Sequence, residues 1–461
     1  MLFQHGSRVG RVIALVFVAL LLGAFVAPNQ TKVTAQVPME QPCLPNDPLQ
    51  LAALRTKLGE PTQPSGIQRI NASLTVEFIT TGEITDTAPA LPTLAAEAGA
   101  DQPDERVDVP ASTTRFRVFN TQTLNEFRVV MEADAVGQIK ECYEQNDLND
   151  GSVPNDVGGN VDVPAAYLPL LVSGAAASRP ATTAPITPNG WSNGSDQRVV
   201  KNNTKGWPLR TIAQFRGSVS NEDSQCTGTL VGPRHLITAA HCINKEATNT
   251  WYATRVTPAK NGAGNSVAVE PYGVSVISTN LPDNVEAWYW TYEEWRDPNQ
   301  AARTNWDIGI IVIPNRLGNL TGWMGVAARN STFLQNTNNY NRGYANCNGV
   351  GLDRGNRPAG CQIGKMYGDP NDCGATGFKS VDGDGWSRRY DIRCDISAGH
   401  SGSPVYHYET NSQGDQVPVV SAVVITESCA VCTPQSDYPS TVRRVTPYVQ
   451  HNFSVFREIF P

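Results

Sequence analysis

The stretch CTGTLVGPRHLITAAHC, residues 226–242, decides how the rest of the chain reads. Two short β-like runs, 227–231 and 235–238, flank Gly232-Pro233, a pair that interrupts a strand and turns it. The second run ends in Thr238-Ala239-Ala240, side chains small enough to let the imidazole of His241 lie in a tight turn. Cys226 and Cys242 bracket the segment, and a bond between them would pin the loop that carries the histidine. Rigid placement matters because a general base must lie within hydrogen-bond reach of its proton donor.

Working outward, further short β-like runs follow at 211–215, 308–313, 390–392 and 419–425, separated by Gly, Asn, Asp and Pro. Strands punctuated in this way, without helices between them, predict a sandwich or barrel. The composition agrees: 17% charged residues, 39 Gly and 32 Pro suit a turn-rich, mostly β protein and argue against a coiled coil. Near the end, Thr446 can cap a helix with Pro447 at its first position. Tyr448, Val449, Phe453, Phe456 and Phe460 recur at nearly helical spacing, which predicts one amphipathic C-terminal helix packed on the β structure.

The N-terminal part divides into three. Residues 1–35 read as an export signal: Arg8 and Arg11, an apolar run at 12–27, then Val33-Thr34-Ala35 at a cleavage site. The apolar run is short for a hydrocarbon core of ~30 Å, so no stable membrane insertion is expected. Residues 36–163 carry strand-like stretches at 74–79 and 116–119 but no histidine, and residues 164–191 have the Ala/Pro/Thr composition of a solvated linker. A larger unit, 192–461, completes the chain. Ten cysteines follow the signal, two before residue 150 and eight after 225, which makes disulfides the default and suggests separately stapled units. Acidic residues outnumber basic ones by 43 to 36, so no cationic excess is available for a nucleic-acid partner.

The chemistry is concentrated in the last unit. Only six histidines occur, so a base at neutral pH has few candidates, and His241 is the one set in a tight turn. Asp307 stands in TNWDIGIIV at the mouth of an apolar strand, where a carboxylate is costly unless a donor such as an imidazole meets it. Ser401 stands in DISAGHSGSPV, where Gly399 and Gly402 allow the sharp turn that exposes a nucleophilic hydroxyl. In that geometry the amides of Gly399 and Ser401 form the oxyanion hole. Taken singly, a Gly-x-Ser-Gly is a turn, an aspartate at a strand edge a turn residue, and a buried histidine a core residue. Jointly, the order His, Asp, Ser is that of a nucleophilic triad.

TAAHC, WDIGII and GHSGSPV resemble the three triad motifs of the trypsin- and chymotrypsin-like serine proteases. GSDQR at 194–198, followed by Asn203-Thr204, resembles the mature start of the bacterial secreted glutamyl endopeptidases. The resemblance covers about residues 193–461. It implies an all-β, chymotrypsin-like double β-barrel with a C-terminal helix, preceded by a small N-terminal prodomain removed near residues 191–194. It further implies a secreted serine endopeptidase in which His241 is the base, Asp307 its orienting acid and Ser401 the nucleophile, with no metal or cofactor. Protein or peptide substrates and the chain's own propeptide are the partners implied. A catalytically inactive, protease-like binding module is the alternative.

Three departures qualify the resemblance. His400 stands where trypsin has the acid that captures the freed N-terminus. In the specificity pocket, Ile396 and Ile425, the latter just before Thr426, occupy positions where glutamyl endopeptidases have Thr and His, while Asp395 stands where trypsin has its acid for basic residues. The segment 346–394 is longer, with extra cysteines, and bridges Cys347–Cys361 and Cys373–Cys394 are expected. Cys429-Ala430-Val431-Cys432 lacks a second pair of ligands and reads as a local disulfide rather than zinc, and Asp382-Gly383-Asp384-Gly385 reads as a turn rather than a calcium loop.

Overall fold

The computed structural model describes residues 48–59, 67–69, 74–85, 114–132, 197–216, 225–245, 248–278, 286–297, 303–347, 358, 360–381, 387–411, 414–426 and 440–461. The expected export signal, the linker, Cys43, Cys142, the Cys429/Cys432 pair and Asp382 to Gly385 lie outside the described residues.

The N-terminal part contributes α1 (Pro48–Gly59), absent from the sequence expectations, and strands β1 (Ile67–Arg69), β2 (Leu74–Thr81), β3 (Glu83–Thr85), β4 (Thr114–Asn120) and β5 (Asn125–Met131). After β6 (Val199–Val200), the first barrel is built from β7 (Ile212–Arg216), β8 (Cys226–Leu230), β9 (His235–Thr238), β10 (Thr250–Tyr252), β11 (Thr254–Pro258), β12 (Ser275–Ile277), β13 (Trp288–Tyr292) and β14 (Gly309–Val312). A short helix, α2 (Glu293–Arg296), lies between the last two of these strands. The second barrel uses β15 (Gly325–Val326), β16 (Tyr340–Asn341), β17 (Gly343–Tyr344), β18 (Met366–Gly368), β19 (Ala375–Val381), β20 (Ser387–Ile392), β21 (Pro404–Thr410), β22 (Gln416–Thr426) and β23 (Ser440–Arg444). Helix α3 (Pro447–Ile459) follows. The fold is therefore the expected all-β double barrel with a C-terminal helix.

Each predicted run forms its strand because its β-branched and aromatic side chains are buried on a pleated surface. In β22, Val420, Val423 and Ile425 join the large core, while Ala422 and Val424 join a second cluster that includes Cys373, Cys394 and Ile396. Both faces of this strand are thus covered, which explains its nearly unbroken apolar sequence. In α3, Tyr448, Val449, Phe453, Phe456 and Phe460 all enter the large core as their spacing predicts. Thr446 occupies the N-cap position, but its hydroxyl makes no capping bond, and Pro447 alone supplies the expected start signal.

The N-terminal strands continue the sheet of the first barrel. Its eleven strands run in the order β1-β2-β5-β4-β13-β14-β9-β8-β7-β11-β12, and 40–461 form one compact unit. Strand β4 pairs antiparallel with β13, from Trp288 opposite Asn120 to Tyr292 opposite Phe116. The physical reason lies in both partners: β13 would otherwise present an unpaired edge, and the alternating strands at 74–81 and 114–120 need an apolar face to cover. Phe119 stacks on Trp251 with centroids 5.1 Å apart, and Phe116 lies 5.0 Å from Trp290.

Phe119→Ala should destabilise the whole chain by about 3–5 kcal/mol, whereas Val267→Ala, at an 82% exposed residue, should change little. Urea unfolding of full-length protein checks this, and the N-terminal strands and the barrel should melt in one transition.

Candidate active site

The hairpin β8–β9 delivers His241. Val231 donates its amide to His235 O at 2.9 Å across the Gly232-Pro233 turn, and β9 then ends in buried Ala239 and Ala240. The next turn, Ala240–Cys242, is a single 3-10 turn. The Cys226–Cys242 disulfide ties it back to the start of β8, as the bracketing cysteines predicted. The two other expected bridges, Cys347–Cys361 and Cys373–Cys394, are also formed.

Asp307, just before β14, is fully buried, and both its oxygens are used by one residue. Oδ2 lies 2.7 Å from His241 Nδ1, and Oδ1 accepts the backbone N–H of His241 at 2.9 Å. Since a carboxylate can only accept, Nδ1 carries the proton and Nε2 is left with its lone pair. Among the described residues, His241 Nε2 is buried without a hydrogen-bond partner. The indole of Trp295 in α2 lies 6.4 Å from the imidazole.

Ser401 is held by both barrels. Its carbonyl accepts the amide of Thr227 at 2.7 Å, and the next residue, Gly402, donates to Val424 O at 2.7 Å. Thr227 Oγ1 donates to Gly399 O at 2.8 Å, and Asn346 N donates to Ala398 O at 2.7 Å. Cys242 Sγ lies 3.6 Å from Ser401 O, so the serine turn rests against the disulfide beside His241. Gly399 and Gly402 have φ of +90° and +79°. A Cβ at Gly402 would come within 2.0 Å of Thr238 Oγ1, and one at Gly399 within 2.5 Å of Tyr344 O, so neither position tolerates a side chain. Among the described residues, no acceptor takes the amide hydrogens of Gly399 and Ser401.

The expected pocket residues are placed differently from one another. Ile396 packs in the smaller cluster with Val424, and Ile425 in the large core. Thr426 is buried with its hydroxyl unpartnered among the described residues. Asp395 is buried, and its Oδ2 accepts the amide of Gln197 at 2.8 Å. Its own amide donates to Asp369 Oδ2 at 2.9 Å. Burial first, then the charge of Asp395, push the Asp369 carboxyl up to about 7. His400 is fully buried, and burial with Arg198 and Arg342 nearby holds its pKa well below the usual histidine range, so it is neutral.

Sequence reasoning missed Thr227, Trp295 and Asp369. Thr227 lies in an ordinary strand, yet its hydroxyl both donates to Gly399 O and accepts from Tyr344 N at 2.9 Å. Nothing in the sequence around Trp295 or Asp369 pairs either with a motif; only folding brings them to the site.

Fold and sequence comparison point to the same class. Residues 202–284 match the family model described as Trypsin, so the trypsin-like serine proteases are what this part of the chain resembles. Among individual proteins, the chain is 32% identical over 145 residues to the glutamyl endopeptidase of Bacillus licheniformis, covering 31% of this chain and 39% of that one. It is 30% identical over 141 residues to a protein of Bacillus subtilis named extracellular metalloprotease, covering 30% and 40%. The chain thus matches about two fifths of the length of these relatives. A Glu endopeptidase solved in complex with MPD covers 57% of this chain and 98% of its own, at 17% identity and a TM-score of 0.39. The protease Anisep of Arthrobacter nicotinovorans aligns over the same shares at 16% identity and a TM-score of 0.35.

The name of the second relative raises the question of a metal. Among the described residues, Cys226, His241 and Cys242, and likewise Asp369, Cys373 and Cys394, bring ligand-type atoms within 4.8 Å. In each group the two sulfurs are joined in a disulfide. One imidazole or one carboxylate is left, short of the three or four ligands of a zinc site, so these residues do not fit one.

Asp369 binds a proton more tightly in the folded chain than in the unfolded one. Its contribution to stability is therefore complete below the ordinary carboxylate pKa and is lost as the pH rises through about 7. Asp369→Asn should flatten the fall in urea midpoint between pH 4 and pH 7.5, and a variant with the wild-type slope would show that the proton is held elsewhere.

Proposed function

We propose that the chain is an exported serine endopeptidase that hydrolyses peptide bonds of protein substrates through an acyl-enzyme. The observation that carries this reading is the buried Asp307–His241 pair, 2.7 Å apart, with Nε2 unpartnered among the described residues and the Ser401 turn resting on the adjacent Cys242.

In the first half-reaction, Ser401 Oγ attacks the scissile carbonyl carbon as its proton passes to His241 Nε2. The new imidazolium is stabilised by Asp307, whose two hydrogen bonds also keep the ring from turning. The carbonyl electrons move onto oxygen, where the amides of Gly399 and Ser401 receive them. Each such donor supplies about 3 kcal/mol of barrier lowering in serine proteases of known mechanism. Collapse breaks the C–N bond, and His241 returns the proton to the leaving nitrogen. Water then repeats the sequence, with His241 as base, releasing the acid and regenerating the Ser401 hydroxyl.

Among the described residues, three disulfides suit an oxidising, extracellular compartment and no helix is long and apolar enough to cross a membrane. In this reading residues 36–163 are an N-terminal segment separated from the protease by a cut near residue 192. Specificity for basic residues is disfavoured, because Asp395 already accepts a main-chain amide and lies beside a second buried carboxyl. Cleavage after glutamate, the activity named for the Bacillus licheniformis relative, would need polar groups that Ile396 and Ile425 do not provide.

A fluorophosphonate probe should label the protein at Ser401, and Ser401→Ala or His241→Ala should abolish labelling and lower peptide hydrolysis by about 10⁶-fold. Asp307→Asn should retain the fold and lose about 10⁴-fold in turnover. A folded wild type that takes no label would instead be a protease-like binding module.

A further inference from the structure

The N-terminal strands hold the barrel by more than a tether. Beyond the β4–β13 ladder, β3 pairs in parallel with β10, from Thr250 opposite Glu83 to Tyr252 opposite Thr85. The N-terminal part therefore engages two separate edges of the first barrel. Between them, Phe116 and Phe119 cover Trp251, Tyr289, Trp290 and Tyr292, each at most 2% exposed. Such side chains bury ~150–250 Å² each. Losing the cover would uncover an apolar patch comparable to or larger than the few hundred Å² that soluble monomers ordinarily carry.

The polar contacts point the same way. Glu126, fully buried in β5, pairs with Arg296 of α2 and with Arg117, whose NH1 is 3.2 Å away. Glu293 of α2 accepts from Arg117 at 3.0 Å and from Arg128 Nε at 2.7 Å. Arg296 also donates to Thr248 O at 2.7 Å and packs 5.4 Å from the Trp251 ring. Burial, with Arg117 nearby, lowers its pKa to about 9. Without the N-terminal part, this guanidinium would face its neighbours with its buried counter-ion gone. Its chain neighbour Trp295 is the residue packed beside His241. Thr248 and Thr250 to Tyr252, which follow His241, are what Arg296 and β3 grip.

We propose that the described part of residues 48–131 is a permanent, non-covalently seated wall of the protease, retained after any cut between residues 132 and 197, and that Glu126, through Arg296, positions the Trp295 side of the His241 site. A removable propeptide would leave the barrel free; here the mature protein is a two-chain complex. The seating is independent of the proposed hydrolytic activity, and only the positioning role rests on it.

The test uses the full-length chain with a specific protease site inserted into the Ala/Pro/Thr stretch 164–191, cut and then passed over a sizing column at nanomolar to micromolar concentration. Both fragments should co-elute one to one, and Ser401 should take the fluorophosphonate at the uncut rate. Glu126→Gln should weaken retention by at least ~100-fold, as expected for a buried charge left unpaired. It should also slow labelling of the intact chain and shift its pH profile. Should Glu126→Gln fail to accumulate, Arg128→Gln, at a 29% exposed side chain, serves for the same measurements with a smaller effect in the same direction. An N-terminal fragment that leaves a barrel still labelled at the uncut rate would overturn the proposal. So would a Glu126 variant retained as tightly as wild type. Co-elution without any labelling would keep the seated wall and remove the protease reading instead.

Discussion

A carboxylate with no exposure to water is tolerable only if its lone pairs are met, and at Asp307 both oxygens are met by one residue, through its ring and its backbone amide. Two bonds from one histidine fix ring position and main-chain position together. The turn that satisfies them has no freedom left, and the disulfide at the adjacent residue removes the remaining way for it to unwind. Everything else in the site is arranged against this fixed point. Thr227, at the other end of the same hairpin, holds Ser401 O through its amide and Gly399 O through its hydroxyl. One strand of the first barrel thus sets the height of the serine turn carried by the second.

The double barrel was legible because it depends on local patterns. Alternation at 74–79 and the nearly unbroken apolar run at 419–425 are direct imprints of surfaces half or wholly covered, and the aromatic spacing after Pro447 is an imprint of a helix with one buried face. The triad candidates were legible for a related reason: small residues before His241, an acid opening an apolar strand and paired glycines around Ser401 are each demanded by the backbone on which the side chain sits. Pairings between distant strands leave no such imprint. Nothing in TRFRVFN reveals that its partner is WYWTY, and the reading of residues 36–163 as a unit set apart from the barrel had no means of seeing the join. Asp395 shows the same limit. Its position suggested a pocket acid, and its contacts with Gln197 and Asp369, far away in sequence and brought to it through the sheet formed by β17, β18 and β6, could not be read beforehand.

The charges separate two kinds of environment. Away from the site, the larger networks are built around anions that have cations on several sides. Glu270 faces Lys260 at 2.9 Å, Arg255 at 2.9 Å and Arg216 at 3.6 Å, while Glu409 takes both arms of Arg329 together with His407. The Glu409 carboxyl is accordingly held down to about 2 by its hydrogen bonds to His407 and Arg329, which outweigh the opposing effect of burial. These anions have only a structural task, and surplus positive charge makes it secure. Under the serine turn Asp369 and Asp395 lie together, main-chain amides donate to one oxygen of each, and burial with the Asp395 charge pushes Asp369 up to about 7 against the pull of Arg198 and Arg342. A carboxyl kept protonated beside a second costs less than two charges, and the two still hold two amides from segments distant in sequence. The base of the loop is therefore tied down by main-chain amides, with the charges of Arg198 and Arg342 near enough to oppose the rise in the Asp369 pKa.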